Sequence, residues 1–559
     1  MLNFRPLLGL SLLALLFSAP ALSQGSAESL GEGVRLLDPN PIVWGYNGSQ
    51  TAISGRWMFV ASGHGGTPSI PYSGKVMVYR RTADGFSLFQ EIFPASPRNG
   101  EQFGWFSMKA SGDVLVVCSE NYPAQLLGTG RTVVYRFDGT TWALDANLLS
   151  PYAAGPPYRW FGTRAAISGD DLVVGAVGLG DALPDGSQSW RGGFHYYHYF
   201  QGQWQLQQIW EPAANASSNH KGYGGTLELD GTTLYCGSGG YSRPLLMELD
   251  PVSKQFHVVR ELFSPIPGVS PFYTYSVAID EPWMAIGMSY RDGGYVGSVS
   301  LYEKTSTGWI FREVLQDDNP SGLFDAFGFS LALKGERLLV GAISAGDVRQ
   351  HHKAEGVSYL FERDFQGQWK EQYSIHPPDR HAAYDFGWSG ALGDGVVIVG
   401  DRYYHDGANP NGGAFAFEFP IGADVCSGVV NSTGQPGQIR ALGTTIAAEG
   451  NLRMQAVNLP ANQAGYFLAS RQTGFFPNSG GSLGTLCLAG SILRLNTPAH
   501  LGLSGADGRR TIQLDPAAFP SPGHPPILSG QTWIFQYWYR DNQPTPATNF
   551  TGATAVMFH

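Results

Sequence analysis

Charged residues are scarce in this sequence, at 14% of its 559 residues, and the acidic ones outnumber the basic ones, giving a formal net charge of −10 at pH 7. A surface of that sign repels phosphate backbones, so we expect no nucleic-acid partner. After the first two dozen residues, no stretch reaches the ~20 apolar residues that a membrane helix needs. The sequence therefore predicts neither a nucleic-acid-binding protein nor a transmembrane segment.

Recognisable catalytic motifs are also missing. The sequence has no His-Glu-x-x-His, phosphate-binding loop or Cys-x-x-Cys pattern, which would indicate a metal, a nucleotide or a redox pair. His351 and His352 could supply two metal ligands, but no third ligand stands at a recognisable spacing, and a solvated loop is the favoured interpretation. We expect no cofactor, no metal site and no enzymatic activity.

Cysteine is rare, with four copies, and these fall into two groups. Cys426 and Cys487 both lie in the C-terminal part, and we predict that they form a disulfide in an oxidising compartment. Cys118 and Cys236 occupy nearly the same point of two non-adjacent repeats. We expect them to be buried, apart and reduced, because a buried free cysteine behaves as a small apolar residue.

The N-terminus has the three parts of a secretory signal peptide. Arg5 stands in a short basic region, an apolar run spans residues 7–17, and small residues surround a cleavage site after Ser23. Residues 1–23 are therefore predicted to be removed. We expect a secreted protein, extracellular or at the cell surface, which is monomeric.

Glycine (74 residues) and aromatic side chains (13%) are abundant, which favours short strands and tight turns over helices. The abundance comes from a repeat in which an aromatic-glycine pair opens an alternating segment, a Gly/Asp turn follows, and a dense apolar strand comes next. Seven copies begin at or near Thr51, Phe103-Gly104, Phe161-Gly162, Tyr223-Gly224, Tyr273, Phe327-Gly328 and Phe386-Gly387.

Each copy continues with a glycine that opens an aromatic-rich strand, and commonly with a Gly-x-Trp step into a last strand. Four strands in a period of about 50–60 residues are typical of one blade of a β-propeller. The seventh copy supplies three strands before Pro420, and residues 33–38 look like the missing fourth. We therefore predict an all-β protein: a seven-bladed β-propeller over residues 31–420, closed by an N-terminal strand, followed by a small β-sandwich domain over residues 421–559.

The Phe-Gly opening together with Val-Gly-Ala, clearest from Phe161-Gly162 to Ala176 and from Phe327-Gly328 to Ala342, resembles the FG-GAP repeat of the seven-bladed integrin α-chain head. The resemblance implies that these phenylalanines pack between blades. Family members often bind calcium in an Asp-x-Asp-x-Asp-Gly loop, but the corresponding turns here are hairpins of two to four residues with no room to encircle an ion. We expect no calcium in them.

The C-terminal part carries a strand pattern in residues 530–541, with Trp533, Phe535, Tyr537 and Tyr539 on one face. This string resembles a C-terminal β-sandwich module that recurs in exported bacterial proteins. The resemblance does not indicate a particular activity for this domain.

In a propeller the loops at the two ends carry function. Here the loops between the second and third strands vary most and bring large amphipathic or cationic side chains of the kind enriched in binding hot spots. The candidate ligand-binding residues are Trp190, Arg191, Tyr290, Arg291, His351, His352, Tyr403, Tyr404 and His405. The alternative for these residues is that loop aromatics cap neighbouring blades.

The sequence thus favours a non-catalytic, adhesion-type protein that binds an extracellular protein or glycan through its loop face. One alternative is a carbohydrate-active propeller enzyme, a glycosidase or a lyase, with carboxylates converging at the axis. Asp325 and Asp385 would be the pair to inspect, although a role in fixing the turn into the inner strand fits them better. The other alternative is a structural component of an envelope or matrix.

Overall fold

The computed structural model describes residues 28–30, 33–67, 69–82, 85–119, 121, 130–151, 160–180, 191–213, 222–238, 243–266, 276–289, 297–317, 325–345, 355–364, 366–380, 382–407, 409–519, 526–541 and 547–559. The signal-peptide prediction lies outside them, as does Tyr273. Within them the regular structure is all β, apart from short 3₁₀ turns at Ala447–Glu449, Ser479–Gly481 and Pro516–Ala518.

Among the described residues of 33–419, each repeat forms one antiparallel sheet, and the seven sheets are numbered here in chain order. A short two-stranded ladder pairs His405–Asp406 with Asn409–Pro410 beside them. Sheets 1 to 3 comprise Asn47–Ser54, Trp57–Ser62, Lys75–Thr82 and Gly85–Ile92; Met108–Ser111, Val114–Ser119, Arg131–Phe137 and Trp142–Leu149; and Phe161–Ser168, Asp171–Ala176, Phe194–Phe200 and Gln203–Trp210. Sheets 4 and 5 comprise Thr226–Asp230, Thr233–Gly237, Leu245–Asp250 and Gln255–Glu261; and Ser276–Asp280, Trp283–Met288, Ser298–Thr305 and Gly308–Leu315.

Sheet 6 has Phe327–Lys334, Arg337–Ala342, Val357–Arg363 and Trp369–Ile375, and Glu28–Ser29 adds to its outer edge in parallel. Sheet 7 takes three strands from its own repeat, Ser389–Gly393, Val396–Asp401 and Gly413–Glu418, and its fourth from the N-terminus, Val34–Arg35. Val34 pairs with Ala416, and the Leu36 N–H donates to the Ala414 carbonyl. This is the pairing that the sequence predicts for residues 33–38.

The first two strands of every sheet are joined by a two-residue hairpin turn. Their last paired residues, such as Ser111 with Val114 and Ser168 with Asp171, are separated by two residues in all seven sheets. Turns of this length match the twist of the strands they join. The short turns predicted from the Gly/Asp pattern are therefore observed.

Neighbouring sheets are joined by a repeated contact between glycines. The glycine after the opening aromatic residue has a left-handed backbone, as at Gly328 (φ +87), and its carbonyl lies against the glycine of the preceding sheet's second strand. A Cβ on Gly287 would stand 2.2 Å from the Gly328 oxygen. A side chain there would push the two sheets apart, which explains both glycines of the repeat.

The same contacts recur between sheet 7 and sheet 1. Ser389 Oγ donates to the Gly48 carbonyl over 2.8 Å, as Ser330 Oγ donates to Gly387 over 2.7 Å between sheets 6 and 7. The first strand of each sheet contacts that of the next sheet, and the first strand of sheet 7 contacts that of sheet 1. Residues of these two sheets also share one apolar core, which contains Met58 and Val60 together with Val396 and Ile398.

The phenylalanines that open the repeats are buried between sheets, as the resemblance implies. Phe161, Phe327 and Phe386 are fully buried, and Phe161 lies in a core with residues of sheets 2 and 3, including Val116 and Val174. Cys118 and Cys236 are buried free thiols, as predicted. Burial raises the pKa of the Cys236 thiol to about 12.

Residues 421–559 form sheets of their own. The largest contains Ala423–Cys426, Ala464–Ser470, Leu493–Leu495, Gly502–Leu503, Thr532–Asp541 and Ala547–Met557; a second contains Gln438–Leu442, Leu452–Val457 and Arg510–Leu514; and a hairpin comprises Gln472–Pro477 and Thr485–Ala489. The first two share one core, to which Trp533, Phe535, Tyr537 and Tyr539 contribute as predicted. The predicted disulfide between Cys426 and Cys487 is present.

Candidate ligand-binding site

The first strands of the seven sheets surround a cavity of about 450 Å³. This volume is within the range of about 300–1,000 Å³ that is usual for small-molecule sites. The wall takes residues from the first strand of every sheet: Thr51, Lys109, Arg164, Glu228, Val277, Ser330 and Gly390. The cavity therefore depends on the arrangement of all seven sheets.

A salt bridge crosses part of this cavity. Lys109 Nζ of sheet 2 lies 2.5 Å from Glu228 Oε2 of sheet 4, so the pair passes over sheet 3. Burial raises the pKa of Glu228, against the opposing effect of the Lys109 charge. The pair fixes one cation and one carboxylate in the wall.

Five side chains at one end of the cavity form what we call the aromatic cluster: Tyr46, His64, Trp105, Trp388 and Tyr403. The ring of Tyr46 lies 4.6 Å from His64, 5.0 Å from Trp105 and 5.4 Å from Tyr403, measured between centroids. All five rings are partly exposed, and Trp105 and Trp388 line the cavity. Aromatic surface is thus presented at the cavity mouth.

Arg402 lies among these rings. Its guanidinium carbon is 3.2 Å from the Trp388 ring centroid and 4.6 Å from that of Tyr403, and its Nε donates to Asp385 Oδ2 over 2.9 Å. Stacking on two rings and one ion pair hold the guanidinium plane in place. Burial raises the pKa of Asp385, while the Arg402 charge lowers it.

Asp401 organises the segments that carry these groups. Its buried carboxylate accepts N–H bonds from Tyr384, Asp385 and Tyr403 at 3.0, 3.1 and 3.0 Å. Burial raises the pKa of Asp401 to about 7, against the lowering effect of these hydrogen bonds. One carboxylate therefore positions both the partner of Arg402 and one ring of the aromatic cluster.

A chain of amide groups supports His64. Asn121 Nδ2 donates to Gln102 Oε1 over 2.6 Å, and Gln102 Nε2 lies 2.6 Å from His64 Nε2. Because the Gln102 oxygen accepts from Asn121, its amide nitrogen is the donor to His64. Burial lowers the pKa of His64, which favours the neutral ring that this hydrogen bond requires as its acceptor.

At this end of the sheets, the same position of several repeats has a left-handed backbone, which sets the direction of its side chain. The residue before the opening position of the repeat is left-handed at Tyr46 (φ 54°), Gln102 (φ 59°) and Ala326 (φ 54°), and sheet 4 has Gly222 at the same place. Such a backbone is uncommon for residues other than glycine, and the surrounding fold must maintain it. Tyr46 of the aromatic cluster and Gln102, which supports His64, both come from this position.

The two ends of the seven sheets differ. The aromatic cluster comes from residues just before the first strands and just after the second strands, opposite to the hairpin turns. At the turn end, Thr445 Oγ1 of the C-terminal part donates to Asp394 Oδ2 over 3.0 Å. Glu418 also accepts from Arg81 and from Arg453 of the C-terminal part. The C-terminal part therefore contacts the turn end, and the cluster lies at the other.

The structure distributes the candidate residues from the sequence among different environments. Tyr403 belongs to the aromatic cluster. Tyr404 is buried with its ring 4.9 Å from Phe415, and the His405 ring lies 4.6 Å from Tyr384. Arg191 is buried in an ion pair with Glu211 at 3.0 Å. Trp190, Tyr290, Arg291, His351 and His352 lie outside the described residues.

Sequence reasoning did not identify Tyr46, His64, Trp105, Trp388 or Arg402. One signal was available, because Trp105, Phe329 and Trp388 each directly follow the glycine of a Phe-Gly pair, and all three line the cavity. Among the residues that the structure describes, no group of three or more His, Cys, Asp or Glu side chains could hold a metal ion. Of the two carboxylates singled out in the sequence, Asp385 is paired with Arg402 and Asp325 is buried.

No protein-family model matches this sequence, and no curated protein matches it significantly. The resemblance to FG-GAP repeats therefore depends on the residues of the repeat alone.

Proposed function

We propose that the seven sheets are the blades of an FG-GAP-type seven-bladed β-propeller, closed by the N-terminal strand in sheet 7, and that residues 421–559 are a separate β-sandwich domain. The support is that the contacts joining sheet 7 to sheet 1 repeat those between other neighbouring sheets, down to the serine that donates to a glycine carbonyl. A ring in which every sheet has two neighbours leaves no open edge between blades.

We further propose that the protein is an exported, non-catalytic binding protein that engages an extracellular protein or glycan through the end bearing the aromatic cluster. The observation that carries this proposal is the partly exposed group of Trp, Tyr and Arg side chains around the cavity mouth. These are the residue types that dominate binding energy in interfaces. The ion pair of Asp385 with Arg402 favours a binding role over acid–base catalysis for that carboxylate.

Export is supported by the Cys426–Cys487 disulfide, since such bonds persist in oxidising compartments. Within the described residues, no helix is long and apolar enough to cross a membrane.

Removing two rings of the aromatic cluster, in a Trp105→Ala/Tyr403→Ala variant, is expected to weaken ligand capture at least ~30-fold, because the loss of even one hot-spot aromatic costs about 2 kcal/mol or more. The measurement is a glycan array and a pull-down of surface proteins with the mature protein, with and without calcium. Phe475→Ala is the matched control, since Phe475 is a 70% exposed ring on the C-terminal hairpin. Capture that survives in the double variant, or hydrolysis of a polysaccharide without any capture, would contradict the proposal.

A further inference from the structure

The cavity collects positive charge in a protein whose net charge is negative. The described residues that line it include three cations, Lys109, Arg164 and Arg402, and one acid, Glu228, whereas the whole chain carries −10. Charges of one sign in a cleft with low-dielectric walls concentrate the opposite charge there. The cavity therefore favours an anion, while the rest of the surface opposes a polymer with many negative charges.

Arg402 is prepared to bind that anion. Trp388 and Tyr403 hold its guanidinium plane, and Asp385 engages its Nε. Within the described residues, the structure shows no hydrogen bond from its two terminal nitrogens. A fixed guanidinium fork binds carboxylate and similar oxyanions through paired N–H donors.

The remaining wall suits a ring that is apolar on its faces and hydroxylated at its edge. Trp105, Phe329 and Trp388 line the cavity as partly exposed aromatic side chains. Beside these rings, the polar side chains of Gln50 and Thr226 also line the cavity. Such side chains can hydrogen-bond the hydroxyl groups of a ligand.

We propose that the cavity binds one pyranose unit that carries a single negative group, a carboxylate or a sulfate, with the anion on Arg402 and the sugar ring against Trp105 and Trp388. This proposal deepens the proposed function and depends on it, since it assigns the ligand of the same end of the protein. Quaternary ammonium groups, which also bind to aromatic rings, are disfavoured because three cations line the cavity.

The test is calorimetric titration of the mature protein with methyl β-D-glucuronide, glucose 6-sulfate and methyl β-D-glucoside. We expect at least one of the charged sugars to bind about tenfold or more tightly than the neutral one, because a hydrogen bond to a charged group is stronger than one between neutral groups. The first two sugars distinguish a carboxylate from a sulfate. Raising the salt concentration should reduce the preference.

The informative variant is Arg402→Gln combined with Asp385→Asn, which removes the ion pair without leaving a buried carboxylate unpaired. It should lose the preference for the charged sugars, and its thermal midpoint shows that it is folded. The Phe475→Ala control should bind as the unmodified protein does. Equal affinity for the glucoside and both charged sugars, or a preference that persists in the double variant, would overturn the assignment.

The failure of this assignment differs from the failure of the proposed function. Suppose that no sugar binds but a surface protein is captured, and that this capture is lost in Trp105→Ala/Tyr403→Ala. The anionic-sugar assignment is then wrong, but the proposal that the end with the aromatic cluster binds a ligand is supported. If capture never depends on Trp105 and Tyr403, both proposals are wrong.

Discussion

Replacing Lys75 with methionine is expected to lower the free energy of unfolding by about 3–5 kcal/mol, the usual cost of removing one partner from a buried ion pair. The Lys75 side chain is fully buried, and its Nζ donates to Asp38 Oδ1 over 2.6 Å and to Glu91 Oε1 over 2.9 Å. Methionine keeps most of the volume but leaves the Asp38 carboxylate, which is 4% exposed, without its cation.

Lys75 lies at the junction between sheet 7 and sheet 1. Lys75 begins the third strand of sheet 1, whereas Asp38 follows the segment Val34–Arg35 that completes sheet 7. Lys75 Nζ also donates to the Asn40 carbonyl over 3.3 Å. One buried cation thus joins the N-terminal strand to the sheet on the other side of the junction.

The test compares the free energies of unfolding of Lys75→Met and Lys370→Met, measured by urea denaturation. The Lys370 side chain is 51% exposed and has an ion pair with Asp364 at 2.7 Å, so its loss should cost no more than about 1 kcal/mol. A Lys75→Met/Asp38→Asn variant should recover part of the stability, because residue 38 is then uncharged and needs no cation. Equal effects of the two lysine substitutions would show that Lys75 does not stabilise the junction.

The second large effect is expected for Arg131→Met, again about 3–5 kcal/mol. Glu101 and Arg131 are almost completely buried, and the Arg131 Nε donates to Glu101 Oε1 over 2.7 Å, with Nη2 directed at the same oxygen. Burial raises the pKa of Glu101, against the effect of the Arg131 charge. Without the guanidinium, this carboxylate would be left uncompensated inside the protein.

Arg131→Met should also disturb the candidate site. Glu101 precedes Gln102, which donates to His64 of the aromatic cluster. We therefore expect weaker ligand capture by Arg131→Met at temperatures where it is folded, but unchanged capture by folded Lys75→Met. The double variant Arg131→Met/Glu101→Gln should regain stability, since glutamine is uncharged and can still accept from Ser119 Oγ. If the stability of the double variant does not recover, an unpaired Glu101 carboxylate is not the cause of the loss in Arg131→Met.

Much of the fold could be predicted from the sequence because the repeat is local. A strand, a two-residue turn and a second strand follow one another within about 15 residues, so the Gly/Asp turns and the alternation of apolar residues identify each sheet. The partner of the N-terminal strand could be found because the seventh repeat lacks a fourth strand. The disulfide followed from the positions of Cys426 and Cys487 outside the repeats.

The candidate site could not be predicted in the same way, because its members meet across sheets. Tyr46, Trp105 and Tyr403 come from the segments before sheet 1, before sheet 2 and after the second strand of sheet 7. Their contact depends on how the sheets are placed around the cavity. The start of the first repeat is also hard to recognise, because it has Asn47-Gly48 where other repeats have Phe-Gly. Gly48 nevertheless has the left-handed backbone of that position (φ 83°).

We propose that the end bearing the aromatic cluster binds the ligand. Hydrogen–deuterium exchange of the mature protein, with and without a ligand recovered from the array or the pull-down, tests it most directly. Binding at this end should protect residues 44–46, 62–66, 102–105 and 402–405 and leave the turn end and the C-terminal hairpin unchanged. Protection confined to the hairpin turns or to residues 472–489, with none around the aromatic cluster, would contradict it.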